Sequence, residues 1–341
     1  MEFELGKDYS GYRFLDVVRR SKDGIEYRVQ NILAQRQERL RVLPEAAQGD
    51  LEQTERFLRE VHVRSRLIHP NIVTLFNGFE LQRQLVMTTE LLEGPALFER
   101  LELGVIPWRE AATLIRQALS AIGFAHEQNV IHRDINPENI VITPGGILKL
   151  NNFGLAKTVD GPKLTQVGTI LGNVYYISPE QVKGTAALDS RTDLYSLGAV
   201  FYHMLCGRPP FNSTSQFEVM LAHVNTPPWS PSVVNPTLPR ELDAVVLTAL
   251  AKDPAKRYQD AAAFAAALDA ALSAIDAPTT ADAPAAAHGA GPPHLPMPPV
   301  LAPAFPSAES KPAASSFDWL FYGGLAAGAS AILWGMWLVA Q

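Results

Sequence analysis

The stretch from Val130 to Asn139, which reads VIHRDINPEN, constrains the fold of this chain more than any other. Its centre is His132-Arg133-Asp134, and Asn139 follows the aspartate by five positions. A motif of so few residues could occur by chance in a chain of 341 residues. The segments that follow it are therefore needed as evidence for the fold. In chain order these segments are Asn152-Phe153-Gly154, Ser178-Pro179-Glu180 and Asp193-Leu194-Tyr195-Ser196-Leu197-Gly198.

Together these segments resemble the motifs of bacterial serine/threonine protein kinases of the eukaryotic-like (Hanks) type, in the family's order and spacing. The resemblance covers roughly Tyr12 to Ile275. It implies an α+β, two-lobed fold, with a small β-rich lobe at residues 12–93 and a large helical lobe at residues 94–276. It also implies that Asp134 stands where the family's base accepts a substrate proton, and Asn139 where a magnesium ligand lies.

The turn that covers the nucleotide phosphates in this family is degraded here. Only its last glycine, Gly24, is retained, and Arg19 and Ser21 occupy the two earlier glycine positions. Glycine lets backbone amides approach phosphate without a side chain in the way. Two interpretations remain open: phosphate binding by the charges of Arg19, Arg20 and Lys22, or an ordinary basic hairpin.

The strand lysine that holds the nucleotide phosphates in the family is replaced by Arg41. An arginine keeps the charge, but its planar fork is not equivalent to an ammonium group. Glu60 matches the helix glutamate that pairs with that lysine, and it could still meet Arg41. It also has Arg64 four residues on, within pairing distance on the same helix.

Two further exchanges fall in the slot that would hold adenine. Arg39 takes the place of the alanine above the base, and Glu26 takes the place of the valine beside it. By the family's geometry they project from adjacent antiparallel strands, so we expect them to pair across the strands and block the slot. The alternative is that both side chains turn out to solvent.

The positions around the reacting phosphate are also changed. Asn152 replaces the metal-binding aspartate, Asn136 replaces a lysine, and Asn173 replaces a threonine that contacts the catalytic aspartate. Magnesium prefers anionic oxygen ligands, and Asn139 is neutral as well. No metal site is therefore predicted, and Asp134 and Asn139 are expected to be retained but vestigial.

The residues that hold this fold together in the resembled family are present. Glu180 has its expected partner in Arg257, and Asp193 can cap the catalytic loop. The pattern of an intact scaffold with a dismantled nucleotide site suggests a pseudokinase. In the activation segment, Thr165 and Thr169 are possible phosphorylation sites, and solvated loop threonines are the simpler interpretation.

Composition defines the flanking segments and excludes some classes of partner. A net charge of −6 argues against nucleic-acid binding, and the single cysteine, Cys206, excludes a disulfide framework. Residues 1–11 form an N-terminal extension with no secretory signal, ahead of a kinase-like domain at 12–276. Residues 277–316 are rich in alanine and proline and are predicted to be a disordered linker.

Residues 317–341 are predicted to form a transmembrane helix that anchors the chain by its tail. Trp319 to Ala340 carries no charge and, at ~1.5 Å per residue, is long enough to cross a ~30 Å hydrocarbon core. This predicts a single-pass protein of the cell membrane with its kinase-like domain in the cytoplasm. Gly324 and Gly328 form a small-residue motif that could pair two such helices into a homodimer.

These observations predict a membrane-anchored, catalytically inactive kinase-fold protein that acts as a signalling scaffold or regulator by binding proteins, with an active kinase as one candidate partner. No cofactor is expected. Two alternatives remain open. The first is a slow or atypical serine/threonine kinase that uses ATP and magnesium with Asp134 as base. The second is a metal-independent nucleotide sensor that binds ATP through Arg41 and the basic hairpin.

Overall fold

The computed structural model describes residues 2–21, 24–43, 50–153, 157–158, 173–185 and 188–277. Within these residues a small lobe built on an antiparallel sheet precedes a large lobe built mainly of helices. The predicted two-lobed α+β architecture is therefore confirmed.

The small lobe is a six-stranded sheet in the order β1-β2-β3-β4-β6-β5, with one helix, α1, beside it. Its strands alternate in burial, and Phe14, Tyr27, Leu40 and Val86 form a core on one face of the sheet. The elements are β1 (Asp8–Tyr9), β2 (Tyr12–Ser21), β3 (Gly24–Asn31), β4 (Arg36–Val42), α1 (Leu51–Arg64), β5 (Leu75–Leu81) and β6 (Gln84–Glu90).

The large lobe packs its helices around one extended apolar core. The stretch 130–139 starts with a short strand, ends with a 3-10 turn, and leads directly into a hairpin of two further short strands. The elements are α2 (Leu97–Glu102), α3 (Trp108–Glu127), β7 (Val130–Ile131), the 3-10 turn Pro137–Asn139, β8 (Ile140–Ile142), β9 (Leu148–Leu150), β10 (Lys157–Thr158), α4 (Pro179–Val182), α5 (Arg191–Cys206), α6 (Gln216–Asn225), α7 (Pro231–Val234), α8 (Glu241–Ala249), the 3-10 turn Pro254–Lys256 and α9 (Ala261–Asp276).

Helix α5 is the centre of the large lobe, because almost every one of its side chains is buried. It packs between α3 and α8, and it ends at Gly207, whose φ of 70° is the left-handed conformation that glycine adopts without strain. Its first turn contains Asp193, which is fully buried beneath the loop at 130–139. This buried helix therefore supports the residues singled out from the sequence.

No helix among the described residues is long and apolar enough to cross a membrane. The stretch 317–341, with Gly324 and Gly328, lies outside those residues, as does the linker from residue 278 onward. Lys22, Gly154, Thr165 and Thr169 also fall outside them.

Candidate active site

Asp193 fixes the backbone of the loop that carries Asp134. Its Oδ1 accepts a hydrogen bond from the amide of Arg133, and its Oδ2 accepts one from the amide of His132, each at 2.8 Å. His126 Nε2 lies 2.8 Å from the same Oδ2. Burial opposes ionisation of Asp193, but these hydrogen bonds outweigh it and hold its pKa below the ordinary value. The capping role expected for Asp193 is thus seen directly.

Asp134 is held by two asparagine side chains. Asn136 Nδ2 donates to its Oδ1 and Asn139 Nδ2 donates to its Oδ2, both at 2.9 Å. Burial raises the pKa of Asp134, although these amides act in the opposite direction. Where a lysine would place a positive charge beside a transferred phosphate, Asn136 supplies only a neutral donor. The aspartate is in place, and neither of the two asparagines that hold it adds a positive charge.

Asn136 and Asn173 each have a local structural role. Asn136 Oδ1 accepts a hydrogen bond from the amide of Glu138 at 2.9 Å and so caps the 3-10 turn that carries Asn139. Asn173 Oδ1 accepts one from the amide of Tyr175 at 3.2 Å, and Asn173 lines a small pocket together with Asp134. Both exchanges therefore lie beside the carboxylate, as expected.

The two residues at the metal positions bind each other. Asn152 Nδ2 donates to Asn139 Oδ1 at 3.1 Å, so the amide nitrogen of Asn152, rather than its oxygen, faces the oxygen of Asn139. Asn152 adopts a φ of 61°, a left-handed conformation that asparagine tolerates better than most residues. Two neutral amides joined in this way do not fit a protein-held magnesium ion, which requires hard and preferably anionic oxygen ligands.

In the small lobe, Arg41 of β4 forms an ion pair with Glu60 of α1, with Nη2 and Oε2 2.5 Å apart. Arg64 also reaches Glu60, with its Nη1 at 3.2 Å from Oε1, so both pairings foreseen for this glutamate exist together. Burial opposes ionisation of Glu60, but the charges of Arg41 and Arg64 outweigh it and hold its pKa below the ordinary value. The glutamate is a shared counter-ion for two arginines.

Glu26 and Arg39 meet across the β3–β4 pair. Glu26 Oε2 lies 3.3 Å from Arg39 Nη1, and the two side chains are only 18% and 29% exposed. Side chains alternate along a strand, so both lie on the face opposite the core residues Tyr27 and Leu40. Neither side chain turns fully out to solvent. At the end of the neighbouring hairpin, Gly24 has a φ of 132°, a conformation that favours glycine.

The scaffold pair joins two distant parts of the large lobe. Arg257 Nη1 and Nη2 donate to the two carboxylate oxygens of Glu180, each at 2.7 Å, and the arginine side chain is fully buried. Burial opposes ionisation of Glu180, and the hydrogen bonds and charge of Arg257 overcome it, so the pKa of Glu180 is lowered. This bidentate geometry is the strong form of an arginine–carboxylate contact.

Comparison with known proteins identifies the family to which this fold belongs. The family model described as protein kinase domain matches residues 27–268. The serine/threonine-protein kinase PrkC of Bacillus subtilis is 34% identical over 259 residues, which is 75% of this chain and 40% of that protein. PknJ of Mycobacterium tuberculosis, also a serine/threonine-protein kinase, is 34% identical over 277 residues, covering 80% of this chain and 47% of that protein.

The likeness extends to solved structures. The crystal structure of the Mycobacterium tuberculosis PknI kinase domain superposes with a TM-score of 0.61 at 28% identity, covering 80% of this chain and 100% of that one. The chain spans less than half the length of the curated relatives named above. It belongs to the protein kinase family, in its bacterial serine/threonine (Hanks-type) branch.

Proposed function

We propose that this chain is a pseudokinase: a kinase-fold protein that transfers phosphate poorly or not at all and acts by binding other proteins. The hydrogen bond between Asn152 and Asn139 carries this proposal. It joins the two positions at which the family binds magnesium, and neither position offers a charge. Without a held metal, the β- and γ-phosphates lose the cation that neutralises charge as the phosphoryl group moves.

The cost of these changes is large because phosphoryl transfer depends on positioning and charge. Loss of one such element typically lowers the rate by ~10²–10³-fold. Four elements differ here together: the glycine-rich turn, the strand lysine, the loop lysine and the metal-binding carboxylate. The separate losses do not simply multiply, since residues that act as a unit are not additive. Even one full loss would leave a weak enzyme.

The Glu26–Arg39 ion pair supports the same proposal from the nucleotide side. Two long charged side chains stand on the sheet face where an adenine ring would lie, and they are mostly buried. A purine could enter only if the pair separated, and both charged groups would then need other partners. Nucleotide binding is therefore opposed by sterics and by desolvation.

We expect the full chain to show no change in its melting temperature in a thermal-shift titration with ATP up to millimolar concentration, with magnesium, with manganese or without metal. Ligands that bind the folded state raise its melting temperature by mass action, so a flat titration reports the absence of binding. A metal-dependent rise would contradict the pseudokinase proposal. A rise without metal would favour the nucleotide sensor, with Arg41 as the phosphate ligand.

A slow serine/threonine kinase is the second candidate, and the Arg41–Glu60 ion pair favours it. In active kinases this pairing positions the residue that holds the α- and β-phosphates. Asp134 also remains at the site of the base. Metal-dependent incorporation of phosphate into a protein substrate would identify this function, provided that Asp134→Asn abolishes it.

We also propose that residues 317–341 anchor the chain in the cell membrane with the kinase-like domain on the cytoplasmic side. The uncharged run from Trp319 to Ala340 supports this, and tryptophan near each end suits the two interfaces. Deletion of residues 317–341 is expected to move the protein from the membrane fraction to the soluble fraction of its host cell. Equal recovery of both forms in the soluble fraction would contradict the anchor.

A further inference from the structure

We infer that Arg64 is a positioning residue that ties α1 of the small lobe to the segment of the large lobe carrying Asn152. Arg64 is the last residue of α1, and its side chain is only 5% exposed. Its Nη1 donates to Glu60 Oε1 at 3.2 Å within the helix, and its Nη2 donates to Asn151 Oδ1 at 2.5 Å across the lobes. One guanidinium therefore joins two elements that lie 87 residues apart in the chain.

Asn151 is a firm attachment point because its backbone is bound to the catalytic loop. Its amide donates to the carbonyl of Asn139 at 2.8 Å, and its own carbonyl lies 2.9 Å from His132 Nε2. The side-chain oxygen of Asn151 is the atom that accepts the hydrogen bond from Arg64. A displacement of Arg64 would therefore act, through Asn151, on a backbone segment that is hydrogen-bonded to the catalytic loop and lies next to Asn152.

The charges explain why α1 resists moving away. Glu60 carries one negative charge and faces two buried or half-buried cations, Arg41 and Arg64. The amide oxygen of Asn151 supplies the second acceptor that the Arg64 guanidinium needs. Arg64 is buried beside Met87, so its charge depends on Glu60 and Asn151 as partners, and loss of one of them at a buried position is costly.

The consequence is a continuous polar connection from β4 through α1 to the segment after β9, formed by Arg41, Glu60, Arg64 and Asn151. All four of these side chains belong to the chain itself. We expect the connection to hold α1 against the segment after β9 without a contribution from a ligand. This inference does not depend on whether the site transfers phosphate, because it concerns only the contact between α1 and the large lobe.

The test is hydrogen–deuterium exchange on the full chain, read by mass spectrometry over α1 and over residues 148–153. Arg64→Met keeps the length of the side chain and removes its donors. We expect it to speed exchange in both segments by about tenfold or more. Arg66→Met is the matched control, because Arg66 is exposed two residues beyond the helix, and it should change neither segment.

Two variants of the acceptor separate a connection between the lobes from a purely local stabilisation of the helix. Asn151→Ala removes the acceptor without touching α1, and it should speed exchange in α1 as Arg64→Met does. Asn151→Asp retains an oxygen for Arg64 and should keep the protection of the parent. The inference is overturned if Asn151→Ala leaves α1 unchanged, or if Arg64→Met speeds exchange in α1 alone. The acceptor variants give this answer even if Arg64→Met does not fold.

Discussion

Replacement of Arg257 by methionine is expected to lower the free energy of unfolding of the kinase-like domain by about 3–5 kcal/mol. The arginine neutralises Glu180 through two hydrogen bonds, and the pair is largely buried. Without it, a carboxylate would remain in a site where burial disfavours its charge. The substitution would also leave three backbone carbonyls without their arginine donor, those of Arg191, Ala251 and Lys252.

Equilibrium denaturation of the full chain, followed by circular dichroism, measures this loss. Arg116→Met is a matched control, because Arg116 pairs with Asp269 on the surface of the same lobe and both side chains are about half exposed. Surface ion pairs contribute about 0–1 kcal/mol, so the control should change little. The assignment of Arg257 as a structural residue would be wrong if its variant lost no more stability than the control.

The combined substitution Glu26→Val, Arg39→Ala and Asn152→Asp is expected to create magnesium-dependent ATP binding in a chain that we propose does not bind the nucleotide. The first two changes remove the ion pair from the adenine slot, and the third restores an anionic metal ligand beside Asn139. At a nucleotide concentration of about 100 times the dissociation constant, binding would stabilise the fold by about 2.7 kcal/mol. For a domain of this size, that is a rise in melting temperature on the order of 5 °C.

The separate changes act as internal controls for this prediction. Glu26→Val with Arg39→Ala should allow nucleotide binding that does not depend on metal. Asn152→Asp alone should show no nucleotide response, because the slot stays filled. If the combined variant folds but its melting temperature does not rise with ATP and magnesium, residues other than these three prevent nucleotide binding. Phosphate transfer should stay slow in all of them, since Asn136 is unchanged.

Much of the site could be predicted because it follows from chain order and strand geometry. Side chains two residues apart on a strand share a face, so a matched register places Arg39 and Arg41 together and brings Glu26 beside them. The capping of the loop by Asp193 and the Glu180–Arg257 pair likewise follow once the motifs are matched. These contacts depend on backbone positions that the family fold supplies.

Other contacts depend on the orientation that each side chain adopts in the folded protein, and the sequence gives no direct signal for that orientation. The hydrogen bond that Asn152 donates to Asn139 requires a particular orientation of two amides, each of which could also face solvent or a ligand. The contact of Arg64 with Asn151 requires that the two lobes approach at one point. The spacing of Glu60 and Arg64 indicated a pair within α1, but it did not indicate that the arginine would reach beyond its helix.

The left-handed backbone at Asn152 has an evolutionary consequence. Most side chains are strained at a φ of 61°, but asparagine and aspartate are the two non-glycine residues that adopt such angles most readily. The two amino acids have codons that differ by a single base. A carboxylate could thus arise at this position in one mutational step, because the backbone conformation here already suits aspartate. The difference between an amide and an anionic metal ligand at residue 152 is then a change of side-chain chemistry that requires no change of the loop conformation.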